Sequence, residues 1–143
     1  MKVKYFDLEN KRVFITGGGS GIGASIVEHF CEQGSEVYFV DINAEESKKL
    51  VDEMKNKKFK EPTFIECDLI NIKLLQETIS KILTEKGPIN ILINNAANDT
   101  RHKIDDVTVE YWDERINVNL RHFFFTVQAV KKSMIENNGG SII

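Results

Sequence analysis

Residues 16–23 read TGGGSGIG, and five of those eight are glycine. Glycine loses more backbone freedom on folding than any other residue, so such a cluster implies a tight turn or a close approach to the backbone. Before it runs RVFIT (Arg12–Thr16), a short β-rich stretch. After it, Ile22, Ile26, Val27 and Phe30 fall at helical spacing, and Gly34 reads as the stop of that helix. A strand that ends in glycines and reopens as a helix presents free N–H groups and a partial positive charge, which suit a pyrophosphate. A tight turn without a ligand would use the same residues. No Lys-Ser/Thr pair follows the glycines, which sets aside a P-loop.

The same alternation continues along the chain. EVYFVD (36–41) reads as a strand, 44–57 as a charged amphipathic helix, and TFIECDL (63–69) as a strand entered through Pro62. Residues 71–86 read as a helix broken by Gly87-Pro88, and INILINNAA (89–97) begins as a buried strand. A polar stretch, NDTRHKIDD, precedes a long helix over 109–136, a turn at 137–140, and SII as the start of a fifth strand. Strands joined by helices of this length imply crossover connections and a parallel sheet covered on both faces. The expectation is an α/β Rossmann-type, doubly wound parallel sheet, one dinucleotide-binding domain over 1–143, incomplete because it ends within the fifth strand.

With 143 residues, 41% hydrophobic and 29% charged, the composition is that of one globular domain. A net charge of -3 without a basic run argues against nucleic acid and anionic membrane as partners. The pairs Lys48-Lys49, Lys57-Lys58 and Lys131-Lys132 sit among acidic residues and read as solvated helix faces. Cys31 and Cys67 lie in apolar stretches with neither zinc nor disulfide spacing, so buried reduced thiols, no metal and a cytoplasmic location are expected. The first apolar run, Val13 to Ile15, is too short for a signal peptide, and no run is long enough to span a bilayer.

Asp41 ends the second strand, 24 residues after Gly17. A carboxylate there accepts hydrogen bonds from an adenosine ribose diol and repels a 2′-phosphate, and no Arg or Lys lies in the glycine loop or directly after Asp41. NAD is therefore favoured over NADP. The competing role for Asp41 is a helix cap, which Asn43 could fill instead. Asp68, ending the third strand, suits either an adenine amino group or the N-cap of the next helix. An S-adenosylmethionine methyltransferase fits these features almost as well, and the region after the fourth strand decides.

There the chain reads NNAA (Asn94–Ala97), and later INVNLRHFFF. Together with TGGGSGIG these stretches resemble the short-chain dehydrogenase/reductase family along the whole chain. That family carries Thr-Gly-three residues-Gly-one residue-Gly, then Asn-Asn-Ala-Gly after strand four, then an Asn in the following helix. Thr16, Gly17, Gly21 and Gly23 match, as do Asn94, Asn95 and Ala96. Ala97 departs from the glycine, a change expected to be tolerated. The resemblance implies an NAD-dependent oxidoreductase with cofactor contacts at Thr16, Gly17, Ser20, Gly21, Ile22, Gly23, Asp41, Ile42, Asp68, Leu69, Asn95, Ala96 and Ala97. It implies a catalytic role for Asn119, whose backbone holds a proton-relay water at a local helix irregularity. It also implies a dimer or tetramer, with the long helix in the contact.

Residues 98–122 are similar to the bacterial aldose 1-dehydrogenases of the family, the D-xylose type, which oxidise the anomeric carbon to a lactone. Asn98, Asp99, Arg101 and His102 match their Asn-Asp-x-Arg-His run, and all four side chains hydrogen-bond hydroxyls. The expected substrate is a small molecule, an aldose; the alternative for the same run is a polar surface loop or an oligomer contact. The family's chemistry also uses a Ser and a Tyr-three residues-Lys pair. Here Tyr5, Tyr38 and Tyr111 are followed four residues on by Glu9, Ile42 and Arg115, and Ser141 opens its strand instead of ending it. Residues 1–143 are thus expected to be the cofactor half of a longer enzyme, inactive alone; the alternatives are a non-catalytic NAD-binding module, or a short-chain dehydrogenase acting on a different alcohol or ketone.

Overall fold

The computed structural model describes residues 3–143; Met1 and Lys2, within the expected domain, lie outside the described residues. Five parallel strands, β1 (Arg12–Thr16), β2 (Glu36–Asp41), β3 (Thr63–Glu66), β4 (Ile91–Asn94) and β5 (Ser141–Ile142), form one sheet in the order β3-β2-β1-β4-β5. The helices are α1 (Gly21–Glu32), α2 (Ala44–Asn56), α3 (Ile72–Lys86), α4 (Val109–Ile116) and α5 (His122–Glu136). The doubly wound α/β arrangement expected from the sequence is the one adopted. Strand order runs outward from β1 in both directions, so a crevice opens between the ends of β1 and β4.

Successive strand residues face opposite sides of the sheet. Val13, Ile15, Val37, Phe39, Ile91 and Ile93 pack with Val27 and Cys31 of α1 and Leu50 and Met54 of α2. Phe14, Tyr38, Val40 and Leu92 pack with Leu75, Ile79 and Ile82 of α3 and Val130 and Met134 of α5. Continuing the second series by two residues reaches Thr16 on β1 and Asn94 on β4. The alternation therefore turns the last, polar residue of each strand toward α5.

Three helices start with side-chain caps. Asn43, Asn71 and Thr108 accept from the N–H groups of Glu46, Leu74 and Tyr111 at the starts of α2, α3 and α4. At α1, Ser20 makes no side-chain cap. The helix that opens the glycine loop has its N-terminal N–H groups uncapped.

Hydrogen bonds mark where two strands end, and the first stops short of the expected 63–69. β3 ends at Glu66; the Cys67 N–H still reaches the Asp41 carbonyl at 3.1 Å, and Asp68 Oδ1 then accepts the Ile70 N–H at 2.9 Å, an Asx turn around Leu69. β4 ends at Asn94, because the next N–H, that of Asn95, goes to the Thr16 hydroxyl. The helix expected over 109–136 is interrupted by a π-helical turn at Asn117–Arg121.

Cys31 and Cys67 are buried free thiols. Burial pushes them up to about 12 and about 11, with Glu28 and Asp68 adding to the effect, so neither is a nucleophile at neutral pH. No helix among the described residues is long and apolar enough to cross a membrane. Among them, no group of three or more His, Cys, Asp or Glu is placed to hold a metal ion.

Candidate functional site

The glycine loop follows β1 and the Asn94–Ala97 segment follows β4, so the topology brings both to the crevice. Packing within the protein accounts for four of the five glycines. A Cβ on Gly17, where φ is +67°, would lie 2.7 Å from Ala96 Cα. One on Gly18 would lie 2.7 Å from Phe39, and one on Gly19 would meet Ser47 and Asp41. One on Gly23 would overlap the Gly17 carbonyl, so this glycine sets how closely α1 meets the end of β1. Gly21 differs: its φ is +55° and no protein atom lies within 4 Å of the built Cβ. It stands at the exposed, uncapped start of α1, where an anion can reach bare backbone.

Asp41 is not the cap of α2, since Asn43 has that role. Its Oδ2 accepts the Gly19 N–H at 2.8 Å and its Oδ1 the Asn43 N–H at 2.9 Å. Each oxygen keeps lone-pair capacity for a further donor, such as the two hydroxyls of a ribose. Asp68 is likewise not a cap; Asn71 caps α3, and Asp68 is exposed beyond β3. Ile22 and Ile42 are largely exposed on the rim of the loop, whereas Leu69 is buried in the core with Leu75 and Ile79 of α3.

Thr16 ties the two strand ends together. Its Oγ1 accepts the N–H groups of Asn95 at 3.1 Å and Ala96 at 3.2 Å. The Asn95 amide donates back to the carbonyls of Thr16 at 3.2 Å and Gly17 at 2.9 Å. Thr16 and the Asn95 side chain thus brace the loop from behind, while Ala97 is exposed. Asn94 Oδ1 lies 2.7 Å from the Thr126 hydroxyl on α5.

Asn119 sits in the π turn. Its Oδ1 accepts the Asn98 N–H at 2.7 Å and its Nδ2 donates to the Asn98 carbonyl at 3.0 Å. This two-point clamp fixes the chain where it leaves the Asn-Asn-Ala-Ala segment. The Asn98 side chain is also engaged, accepting from the Thr100 N–H at 3.1 Å and hydroxyl at 2.8 Å. His102 stacks on Tyr111 with ring centroids 4.0 Å apart, and Tyr111 donates to the Thr100 carbonyl. Of the four expected sugar contacts, Asp99 and Arg101 are exposed and free of hydrogen bonds or ion pairs among the described residues.

His122 was not among the residues singled out from the sequence. It is completely buried, with Nε2 3.2 Å from Thr16 Oγ1 and Nδ1 2.7 Å from the Val118 carbonyl. In an uninterrupted α-helix that carbonyl would take the His122 backbone N–H, which here points to Leu120. The imidazole thus occupies an acceptor within the π turn. Burial holds this histidine below the usual imidazole range, against the opposing effect of the Val118 hydrogen bond. The signal for it was present: one imidazole leading the apolar run HFFFTV, where a buried polar ring needs partners.

The profile of the short chain dehydrogenase family matches residues 11–143. Over 139 residues the chain is 49% identical to a D-xylose 1-dehydrogenase of Caulobacter vibrioides, covering 97% of this chain and 54% of that protein. It is 44% identical over 137 residues to a protein of Rhizobium meliloti named "probable galactose dehydrogenase", covering 96% and 54%. A hydroxysteroid dehydrogenase from Escherichia coli superposes with a TM-score of 0.86 at 30% identity, covering 94% of this chain and 57% of that one. The chain belongs to the short-chain dehydrogenase family, a family of oxidoreductases, and spans about half the length of the curated relatives it matches.

Proposed function

We propose that the crevice between β1 and β4 binds NAD and that residues 1–143 form the cofactor half of an aldose 1-dehydrogenase. The observation that carries the cofactor reading is the pairing of an uncapped α1 N-terminus, open at Gly21, with a preorganised Asp41 carboxylate. The first suits a diphosphate and the second a ribose diol, and Asp41 disfavours a 2′-phosphate. Thr16, Gly17, Gly23, Asn95 and Ala96 shape the loop; Ser20, Gly21 and Ile22 would hold the diphosphate, and Ile42, Asp68 and Leu69 the adenine. Bound at these residues, NAD would supply the acceptor for a hydride from the substrate carbon. Asn119 orders the backbone at Asn98 and the π turn, where a relay water would be held.

The sugar reading is supported by identity to a D-xylose 1-dehydrogenase and by the free side chains of Asp99 and Arg101. The steroid enzyme with the same fold means that the fold does not choose the substrate. Residues 1–143 hold no Tyr with Lys four positions on, so they supply cofactor binding without proton transfer. The test is to incubate the full-length enzyme with NAD and a panel of aldoses. Reduction of NAD with formation of a lactone is expected. Turnover of polyols or steroids with none of any aldose would overturn the sugar reading, and a clear preference for NADP would overturn the Asp41 reading.

The full-length protein is further proposed to be a cytoplasmic homo-oligomer, in keeping with the buried thiols and an apolar stripe. Val109, Trp112, Ile116, Leu120 and Phe124 recur at three- and four-residue spacing and are exposed on α4, the π turn and α5. Sedimentation of the full-length protein should report a dimer or larger, and a monomer would refute this.

A further inference from the structure

We propose that His122 is a positioning residue of the dinucleotide cleft, joining the strand ends to the Asn119 turn through its two ring nitrogens. This rests on the dinucleotide reading for its functional meaning, but the positioning itself is carried by hydrogen-bond accounting. A threonine hydroxyl has two lone pairs and one proton. Thr16 Oγ1 uses both lone pairs on the N–H groups of Asn95 and Ala96. Its proton goes to the remaining neighbour, His122 Nε2, at 3.2 Å. Nε2 is therefore an acceptor and the ring proton sits on Nδ1, which donates to the Val118 carbonyl at 2.7 Å.

Only this arrangement of protons satisfies all the partners, and the ring is fully buried, so water has no access to replace it. An edge-on contact with Phe123, centroids 4.5 Å apart, helps set the ring plane. The direction of the Thr16 hydroxyl decides whether both amides after β4 are held, and they carry the Asn95–Ala97 segment against the glycine loop. The Val118 bond fixes the turn from which Asn119, the next residue, clamps Asn98. One side chain thus orients two walls of the crevice, with no role in contacting the cofactor itself.

Two substitutions each keep one of the bonds. His122→Gln retains an acceptor near Nε2 for Thr16 and gives up Val118; His122→Asn retains a donor near Nδ1 and gives up Thr16. The first readout is amide hydrogen exchange at Asn95, Ala96 and Asn98 without ligand. His122→Asn should speed exchange at Asn95 and Ala96 while sparing Asn98, and His122→Gln should do the reverse. NAD affinity of the full-length enzyme should fall about tenfold in His122→Asn, and Thr16→Val should add little to that loss. Equal changes at all three amides in both variants, as for a space-filling side chain, would overturn the proposal. So would unchanged exchange in a folded His122→Asn. If His122→Asn does not fold, the imidazole nitrogen shifts of the unsubstituted protein decide: a proton on Nε2 refutes the arrangement. If the unsubstituted enzyme binds no NAD, the cofactor reading fails, while the exchange pattern still decides the role of His122.

Discussion

The Gly19 N–H donates to Asp41 Oδ2 at 2.8 Å, which ties the carboxylate at the end of β2 to the loop at the end of β1. With the Asn43 N–H on Oδ1, the carboxylate is oriented before any ligand arrives. A preorganised acceptor loses less entropy on binding than one that must be ordered. A side chain on Gly19 would displace Asp41 and Ser47 together, so the bare backbone there protects the geometry of the acid.

Asp41→Asn should therefore weaken NAD and relieve repulsion of NADP. Loss of a charge-assisted hydrogen bond to the ribose is expected to raise the NAD Kd by about tenfold, from about 1.5 kcal/mol. Fluorescence titration with the two reduced cofactors gives both affinities. An unchanged ratio between them would remove Asp41 from cofactor selection.

Gly21 and Gly23 should separate the demands of a ligand from those of packing. Gly23→Ala drives a methyl into the Gly17 carbonyl, so α1 must shift, at a cost of about 1–3 kcal/mol. Gly21→Ala meets no atom within 4 Å, and its penalty is the left-handed backbone alone, about 1–2 kcal/mol. Urea midpoints should fall in both. NAD binding should fall at least about tenfold in folded Gly21→Ala, as in a site where backbone meets phosphate; retained affinity would move the diphosphate elsewhere.

How much of this was legible depends on the reach of each signal. The strands were readable because VFI, VYFV and ILI are continuous apolar runs, as expected of strands buried on both faces. Asp41 was readable because its position follows from strand two and its competitor, Asn43, stood two residues on. The reason for most of the glycines was not, since Phe39, Ser47 and Ala96 approach them from 21 to 79 residues away in sequence. The same holds for His122, 106 residues from Thr16. Its position beside a π turn breaks the 3.6-residue period, which the expectation of one unbroken helix over 109–136 did not allow for.

Stability should carry the signature of a buried neutral imidazole. The folded pKa of His122 lies below the unfolded value of about 6.5, so the unfolded chain binds the proton first as pH falls. The contribution is intact above about pH 6.5 and is lost progressively below it, toward the lower folded value. Urea midpoints at about pH 7 and about pH 5, compared with His122→Gln, isolate it from the carboxylates. The unsubstituted protein should lose more stability than the variant over that interval. Parallel losses would mean that His122 takes up its proton in the fold as readily as in the unfolded chain.

The loop after the Asn-Asn-Ala-Ala segment should divide into scaffold and contact residues. Asn98 is clamped by Asn119 and turned onto Thr100, and His102 is stacked on Tyr111, so replacing either should disturb the loop as a whole. Asp99 and Arg101 have no partners among the described residues, so replacing either should leave the fold alone. In the full-length enzyme, Asp99→Asn and Arg101→Gln are expected to raise the KM for an aldose by about tenfold, the loss of one charged hydrogen bond to a hydroxyl, and to spare NAD affinity. Asn98→Ala should instead lower kcat/KM together with thermal stability, because Thr100 loses the acceptor that shapes the turn. Steady-state kinetics with varied sugar at saturating NAD, beside a melting curve for each variant, makes the division visible. If Asp99→Asn and Arg101→Gln both turn over aldoses like the parent enzyme, the two side chains belong to a surface loop and the sugar is held elsewhere.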